Sequence, residues 1–87
     1  MPKKSEPYYV YMLRCVGGSL YTGVTNNVQK RFIAHQRGKG AKYTRAYPPI
    51  AVVYVEECKG RGGAQQREAE IKKLSHTEKS RLAKLEK

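Results

Sequence analysis

Apolar and aromatic residues are concentrated in three short runs, separated by polar and glycine-rich stretches. In residues 8–15 the side chains that would lie on each of the two faces of a strand are mainly apolar or aromatic. This pattern predicts a central strand covered on two sides. After a glycine-containing turn at 16–19, residues 20–24 predict the second strand of a hairpin. Residues 50–55 predict a third, buried strand that two glutamates bring to an end.

The first predicted helix follows the hairpin. Its capping residues lie at 25–27, and it ends before Gly38. A period of 3.6 residues turns Val28, Phe32 and Ile33 toward the core. We therefore expect this helix to pack on the sheet by one apolar face.

Two further helices are predicted near the end of the chain. One runs from about residue 64 to residue 73, after a mobile basic loop at 59–63. The other opens with the capping box formed by Ser75 and Glu78, and it turns Leu82 and Leu85 inward.

The element order β-β-α-β-α-α predicts an α+β fold, in which helices flank a small three-stranded antiparallel sheet. Residues 37–49, between the first helix and the third strand, are predicted to be irregular. Residues 1–7 contain two prolines and no apolar period, so we predict a flexible tail followed by a single domain over 8–87.

The hairpin loop leaves two strand registers open. With a three-residue loop, Tyr11 pairs with Gly23 and Tyr21 lies on the same face of the sheet. With a loop of only two glycines, Tyr21 moves to the face opposite Tyr11. The first register would place two phenols beside an open patch at Gly23.

Composition adds a strong positive charge. The 87 residues carry 18 Lys and Arg against 7 acids, a formal charge of +11. Between residues 28 and 47 there are basic side chains and tyrosines but no acid, which favours phosphate contacts and base stacking over an ordinary solvated surface. The predicted nucleic-acid-binding residues are Lys30, Arg37, Lys39, Lys42, Tyr43 and Arg45.

Other features of the composition exclude whole classes of function. Every acid is Glu, and the absence of Asp excludes Asp-based two-metal nucleases, Asp-bearing triads, EF-hands and Walker B sites. No apolar run approaches the roughly 20 residues of a membrane span, and no secretion signal is present, so we expect a cytoplasmic protein. Cys15 and Cys58 lack zinc-site spacing and are predicted to be buried strand residues.

Two polar features lie beside predicted apolar faces. Asn27, Arg31 and His35 recur every four residues, next to the face that carries Phe32. Arg31 and His35 can grip one phosphate, or the row can be a solvated polar face. Glu68 falls near the inward face of its helix, where a carboxylate needs an Arg partner or a metal ion.

These features, in this order, resemble the GIY-YIG endonuclease domain. Tyr9-Val10-Tyr11 resembles its first tripeptide and Tyr21-Thr22-Gly23 its second, with a short hairpin between them. Arg31 matches the arginine of the following helix, His35 the histidine of many members, and Glu68 the metal-binding glutamate. The chain most resembles small stand-alone bacterial members of unassigned role.

The resemblance implies an endonuclease that hydrolyses phosphodiester bonds of structured or damaged DNA and depends on Mg²⁺ or Mn²⁺. It implies that Glu68 holds the metal, that Tyr21 is the general base and that Arg31 stabilises phosphoryl charge. Tyr11 would orient water or Tyr21, and His35 would contact phosphate or relay a proton. A homodimer or a partner protein is left open.

The sequence departs from the family pattern at three places. Tyr9 stands where the family has Gly, and Thr22 where it has Ile. Ser80 lies near the position of an Asn that many members carry after the metal-binding glutamate. The alternative function is therefore a non-catalytic module that binds DNA or RNA on the same fold. A small basic RNA- or ribosome-associated protein, with tyrosines stacking on bases, is a further alternative.

Overall fold

Seven elements follow one another in the order β-β-α-α-β-α-α in the computed structural model, which describes residues 7–85. The strands are β1 (Tyr8–Cys15), β2 (Leu20–Thr25) and β3 (Pro49–Cys58). The helices are α1 (Val28–Gln36), α2 (Lys42–Ala46), α3 (Gly60–Lys72) and α4 (His76–Leu85). The predicted α+β class and three-stranded sheet are confirmed, with one helix more than predicted. The predicted tail falls almost wholly outside the described residues.

The sheet has the order β2-β1-β3, and β1 pairs antiparallel with both neighbours. Tyr11 lies opposite Gly23, and Leu13 opposite Tyr21, which is the register of the three-residue loop. The backbone nitrogen of Cys15 donates to the carbonyl oxygen of Ser19 at 2.9 Å and closes that loop. Tyr11 and Tyr21 therefore lie on the same face.

The central strand β1 is buried on both faces, as predicted. One face packs against α3 and α4 in a cluster made of Val10, Met12, Tyr54, Ala64 and Ile71. The other face packs against α1 through Tyr11, Leu13 and Cys15. Each helix layer thus covers alternate side chains of one strand, as the pleat of a sheet requires.

Helix α1 is rotated relative to its prediction. Asn27 caps it, accepting from the backbone nitrogen of Lys30 at 3.0 Å, and Phe32 packs on the sheet as expected. The prediction that Ile33 faces inward is wrong: it is 41% exposed, whereas His35 is fully buried. One residue turns a helix by about 100°, so burying Phe32 and His35 together directs Ile33 outward.

Two predicted loops contain helical residues. Residues 37–49, predicted to be irregular, contain α2, whose buried residue is the polar Thr44. No apolar period marks such a helix, because a hydroxyl rather than a hydrocarbon anchors it. Residues 59–63, predicted to be a mobile loop, include the first turn of α3. Its glycines disfavour a helix by about 1 kcal/mol each, and the packing of buried Ala64 against β1 overrides that preference.

An ion-paired cluster ties α3 to the sheet. The Arg67 Nε donates to Glu56 on β3 at 3.0 Å, and its Nη1 donates to Glu70 at 3.0 Å. Burial opposes ionisation of Glu56, but hydrogen bonds from Tyr54 and Arg67 prevail and lower the pKa of its carboxyl. The helix that carries Glu68 is therefore fixed by the residue just before it.

The capping box of α4 forms as predicted. The backbone nitrogen of Ser75 donates to Glu78 at 2.9 Å, and that of Glu78 donates to the Ser75 hydroxyl at 3.1 Å. Leu82 packs against the core, and the side chain of Leu85 lies outside the described residues. Cys15 is buried as predicted, whereas Cys58 is half-buried, and burial raises the pKa of both thiols. None of the helices in the described part of the chain could span a membrane.

Candidate active site

An open pocket of about 480 Å³ brings together four of the five predicted catalytic residues. Tyr11 comes from β1, Tyr21 from β2, Arg31 from α1 and Glu68 from α3. Because α1 and α3 cover opposite faces of the sheet, a cation and a carboxylate from the two layers meet in this pocket. Residues far apart in sequence thus form one polar site.

Gly23 creates the room that the Tyr11 phenol occupies. A Cβ atom at position 23 would lie 2.5 Å from the Tyr11 hydroxyl and 2.7 Å from its Cζ, closer than real side chains approach. The bulk of Tyr11 therefore requires glycine at position 23, the residue paired with it across the hairpin.

His35, the fifth predicted catalytic residue, lies behind Tyr11 with no exposed surface. Its Nε2 is 2.8 Å from the Tyr11 hydroxyl, and its Nδ1 is 2.7 Å from the Thr44 hydroxyl. The full burial of His35 does not fit the direct phosphate contact considered above. It fits a proton-relay or positioning role that acts through Tyr11.

Burial shifts the titration of both members of this pair. It raises the pKa of Tyr11 to about 12, and the Arg31 guanidinium opposes the shift. Burial, and then the positive charge of Arg31, lowers the pKa of His35 below its usual 6.5. At neutral pH the pair consists of a neutral phenol and a neutral imidazole.

Glu68 presents a carboxylate to the pocket with a side chain that is 24% exposed. Its Oε2 forms an ion pair with Lys72, one helical turn later, at 3.0 Å, rather than with Arg31. Residues 7–85 contain no cluster of three His, Cys, Asp or Glu side chains that would enclose a metal. A single carboxylate fits Mg²⁺, which keeps several waters and takes substrate oxygens as ligands.

A row of aromatic rings leads from the pocket to the surface. The rings of Tyr21 and Tyr43 lie nearly parallel, 16° apart, with their centroids separated by 6.1 Å. Tyr47 follows at 5.1 Å from Tyr43, and Tyr47 is 48% and Tyr43 39% exposed. The other predicted nucleic-acid-binding residues are all exposed: Lys30, Arg37, Lys39, Lys42 and Arg45.

A second, smaller cavity of about 220 Å³ adjoins this pocket. Lys30 and Arg31 line it together with Asn27, and Arg31 is shared with the main pocket. The Arg31 guanidinium thus lies between the main pocket, which contains the Glu68 carboxylate, and the smaller cavity, which Lys30 lines.

Several residues of the site were not predicted. Arg61 and Gln65 line the pocket from the part of α3 that begins in the predicted loop. Thr44 and Gly40 contact or accommodate the His35 ring, and a Cβ at Gly40 would overlap that ring. The sequence gives only a weak signal for Thr44 and Gly40, because both lie in a stretch without apolar periodicity.

Comparison with known proteins identifies the family. Residues 7–81 match the GIY-YIG catalytic domain.

The chain belongs to the GIY-YIG family.

Small relatives share most of this GIY-YIG chain. The UPF0213 protein of Natronomonas pharaonis is 48% identical over 86% of this chain and 88% of its own. The UPF0213 protein of Oceanobacillus iheyensis is 49% identical over 88% of this chain and 90% of its own. The GIY-YIG match thus covers almost the whole of this chain, and the names of these relatives state no activity.

Two solution NMR structures share the GIY-YIG chain's architecture. The UPF0213 protein of Bacillus halodurans superimposes with a TM-score of 0.57 at 42% identity, covering 91% of this chain and 84% of its own. A protein of E. faecalis superimposes with a TM-score of 0.60 at 32% identity, covering 98% and 92%.

We predict that Gly40→Ala destabilises the GIY-YIG domain by about 1–3 kcal/mol, because the new Cβ overlaps the buried His35 ring. Gly62→Ala is the matched control, since nothing lies within 4 Å of a Cβ there and alanine favours the helix by up to about 1 kcal/mol. Urea unfolding of both variants measures the difference. Equal effects would contradict the packing described for Gly40.

We predict that the domain loses stability as pH falls below about 6.5, the unfolded pKa of histidine. The folded pKa of His35 is lower, so between the two values the unfolded chain binds the extra proton and gains population. Urea unfolding between pH 7.5 and 5 measures the slope. His35→Gln should flatten the slope, whereas the contribution of His35 should persist in His76→Gln, at the exposed second histidine, whose ring contacts the Gly18 carbonyl. An unchanged slope in His35→Gln would contradict this origin.

Proposed function

We propose that this GIY-YIG domain is a Mg²⁺-dependent endonuclease that hydrolyses phosphodiester bonds of structured or damaged DNA. The observation that carries the proposal is the pocket in which Tyr11, Tyr21, Arg31 and Glu68 converge. Family membership supports a nuclease class, and the pocket supplies side chains for each chemical task. Mn²⁺ would serve in place of Mg²⁺, because both prefer oxygen ligands.

Glu68 is the residue proposed to hold the metal. When bound, the ion would polarise the phosphate and offset the charge of the leaving oxygen. Lys72 is the ion-pair partner of this carboxylate, 3.0 Å away and itself largely exposed. We propose that Lys72 turns into solvent when Glu68 takes a cation, because one turn of helix separates them and its side chain is 53% exposed.

Tyr21 is proposed as the general base that takes a proton from the attacking water. It is half-buried and lines the pocket, so water can reach its hydroxyl. Tyr11 is 1% exposed, and burial opposes its ionisation, so we assign it the role of a neutral hydroxyl that orients its neighbours. Arg31 is proposed to stabilise charge that develops on the phosphoryl oxygens.

The aromatic row and its basic surroundings are proposed as the DNA-binding surface. Exposed Tyr43 and Tyr47 offer ring faces to bases, and Tyr43 lies against Tyr21 of the pocket. Bases can reach these rings where a duplex is interrupted, as at a branch, a flap or a nick. The exposed lysines and arginines of residues 30–45 would neutralise the phosphates on either side.

We predict that Mg²⁺-dependent cleavage of branched or flapped DNA falls by at least about 100-fold in Tyr21→Phe, because a general base is removed. Glu68→Gln should lose cleavage as well, while both variants still bind DNA. Tyr9→Phe and Glu57→Gln are matched controls outside the pocket. A panel of branched, flapped and linear substrates, with and without Mg²⁺, measures the activity. Equal cleavage by wild type and Tyr21→Phe would contradict the assignment.

The second candidate is a module that binds nucleic acid without cutting it. The ion pair of Glu68 with Lys72 favours this reading, because it satisfies the carboxylate without a metal. The absence of any Asn beyond Asn27 points the same way. Binding without cleavage on every substrate, indifferent to Mg²⁺, would select this alternative.

We predict that DNA affinity falls steeply as salt rises, since phosphate contacts release counterions. Lys42→Gln should reduce the slope of log K against log salt by about 1, the effect of one lost phosphate contact. Lys84→Gln is the matched control, because Lys84 lies on α4 beside a separate cavity with Val52 and Val53. Fluorescence anisotropy across a salt series gives the slopes. A flat titration would contradict a phosphate-binding surface.

A further inference from the structure

A chain of buried hydrogen bonds runs from the pocket into the loop before α2. It starts at the Tyr11 hydroxyl, passes through both ring nitrogens of His35 and reaches Thr44. The Thr44 hydroxyl in turn lies 2.9 Å from the carbonyl oxygen of Ala41. His35 and Thr44 have no exposed surface, and Tyr11 has 1%. Water is therefore excluded from His35 and Thr44, whose hydrogen-bond partners are all protein atoms.

The proton count gives the chain a direction. A carbonyl oxygen only accepts, so Thr44 is the donor in its 2.9 Å bond to Ala41, whose carbonyl the backbone nitrogen of Arg45 also reaches at 3.2 Å. The Thr44 oxygen then has only lone pairs to offer to the Nδ1 of His35, 2.7 Å away. While Thr44 donates to Ala41, Nδ1 needs a proton to bond with Thr44, and in a neutral imidazole Nε2 then has none. Nε2 accordingly accepts the Tyr11 hydroxyl proton across 2.8 Å.

One contact would favour the opposite arrangement. The backbone nitrogen of Ala41 lies 3.4 Å from Nδ1, and it can donate there only if Nδ1 is unprotonated. That distance is beyond the usual range of about 2.7–3.2 Å for such bonds, whereas the two Thr44 contacts lie within theirs. Thr44 therefore decides between the two tautomers, and it does so as an acceptor.

We propose that Thr44 is a positioning residue that holds His35 in the Nδ1–H tautomer, so that the Tyr11 proton points inward and the Tyr11 oxygen presents lone pairs to the pocket. The role of this arrangement in cleavage rests on the function proposed above. In the other tautomer Nε2–H would donate to Tyr11, and the phenol proton would be available to the pocket instead. The Thr44 hydroxyl on α2 would thus determine whether the Tyr11 hydroxyl donates to His35 or into the pocket.

The fold makes this control specific to position 44. Helix α2 has five residues, and Thr44 is its buried residue, while its neighbours on either side are exposed. Gly40 leaves space for the imidazole beside the same loop. The segment from Gly40 to Thr44 thus encloses His35 from the side opposite Tyr11 and fixes both the ring and its proton.

The test is ¹⁵N NMR of the histidine ring nitrogens in the full chain at pH 7.5, without DNA or metal. An unprotonated ring nitrogen resonates well downfield of a protonated one, so the spectrum reports the tautomer directly. His76→Gln identifies which signals belong to His35. We expect Nδ1 protonated and Nε2 unprotonated in the wild type. A wild-type spectrum with Nε2 protonated would overturn the proposal without any variant.

Variants at position 44 separate the hydroxyl from the shape of the side chain. Thr44→Val keeps the shape and removes the acceptor, so the Nε2–H form should become populated. Thr44→Ser restores the acceptor and should return the wild-type signals. Thr77→Val, at an exposed position, should change nothing. If Thr44→Val folds with the wild-type tautomer, or Thr44→Ser fails to keep it, Thr44 does not hold the ring.

Cleavage provides a second readout. In Thr44→Val we expect kcat to fall by about 10- to 100-fold, the usual effect of losing a residue that orients an active-site group, with KM for DNA unchanged. A matching loss in Thr44→Ser, despite a wild-type tautomer, would contradict the link between the tautomer and catalysis. The NMR measurement requires no DNA, so a wild type that never cleaves would count against the endonuclease alone.

Discussion

The double burial of β1 is the constraint on which the rest of the molecule depends. A strand sends successive side chains to opposite faces, and β1 has a helix layer on each. Val10 and Met12 pack apolar side chains against one layer, and Leu13 and Cys15 pack theirs against the other. Tyr11 is the exception, because it places a phenol oxygen in the second core. Gly23, His35, Thr44 and Gly40 accommodate that phenol directly or through the imidazole that contacts it.

The surroundings of the Tyr11 phenol have a steric part and a hydrogen-bonding part. Glycine at position 23, across the hairpin, leaves room for the phenol ring, and the inward-facing His35 is the hydrogen-bond partner of the hydroxyl. Burying His35 then requires partners for the imidazole, which Thr44 supplies, and space, which Gly40 supplies. A polar group in a small core is tolerated when each atom of the network is satisfied. The network also explains why α1 is rotated to expose Ile33.

Sequence reasoning succeeds where apolar period and turn chemistry act locally. The three strands, the antiparallel sheet and the capping box of α4 follow from such signals, and the two tyrosine tripeptides together with Arg31 and Glu68 correctly indicate the family. It fails at α2 and at the first turn of α3, because a buried threonine and a glycine-rich turn carry no helical period. The ion pair of Glu68 also differs from the expected arginine partner, since a lysine on the same helix reaches the carboxylate.

The fit between Gly40 and the His35 ring has a consequence for how sequences of this family can diverge. The two positions occupy one volume, so a side chain at 40 is compatible with this backbone only where residue 35 is smaller than histidine. The same exclusion links residue 23 to residue 11 across the hairpin. A side chain can therefore appear at position 40 or 23 only where its partner has become smaller, whereas glycine tolerates either partner. Relatives that keep the buried histidine should keep glycine five positions later.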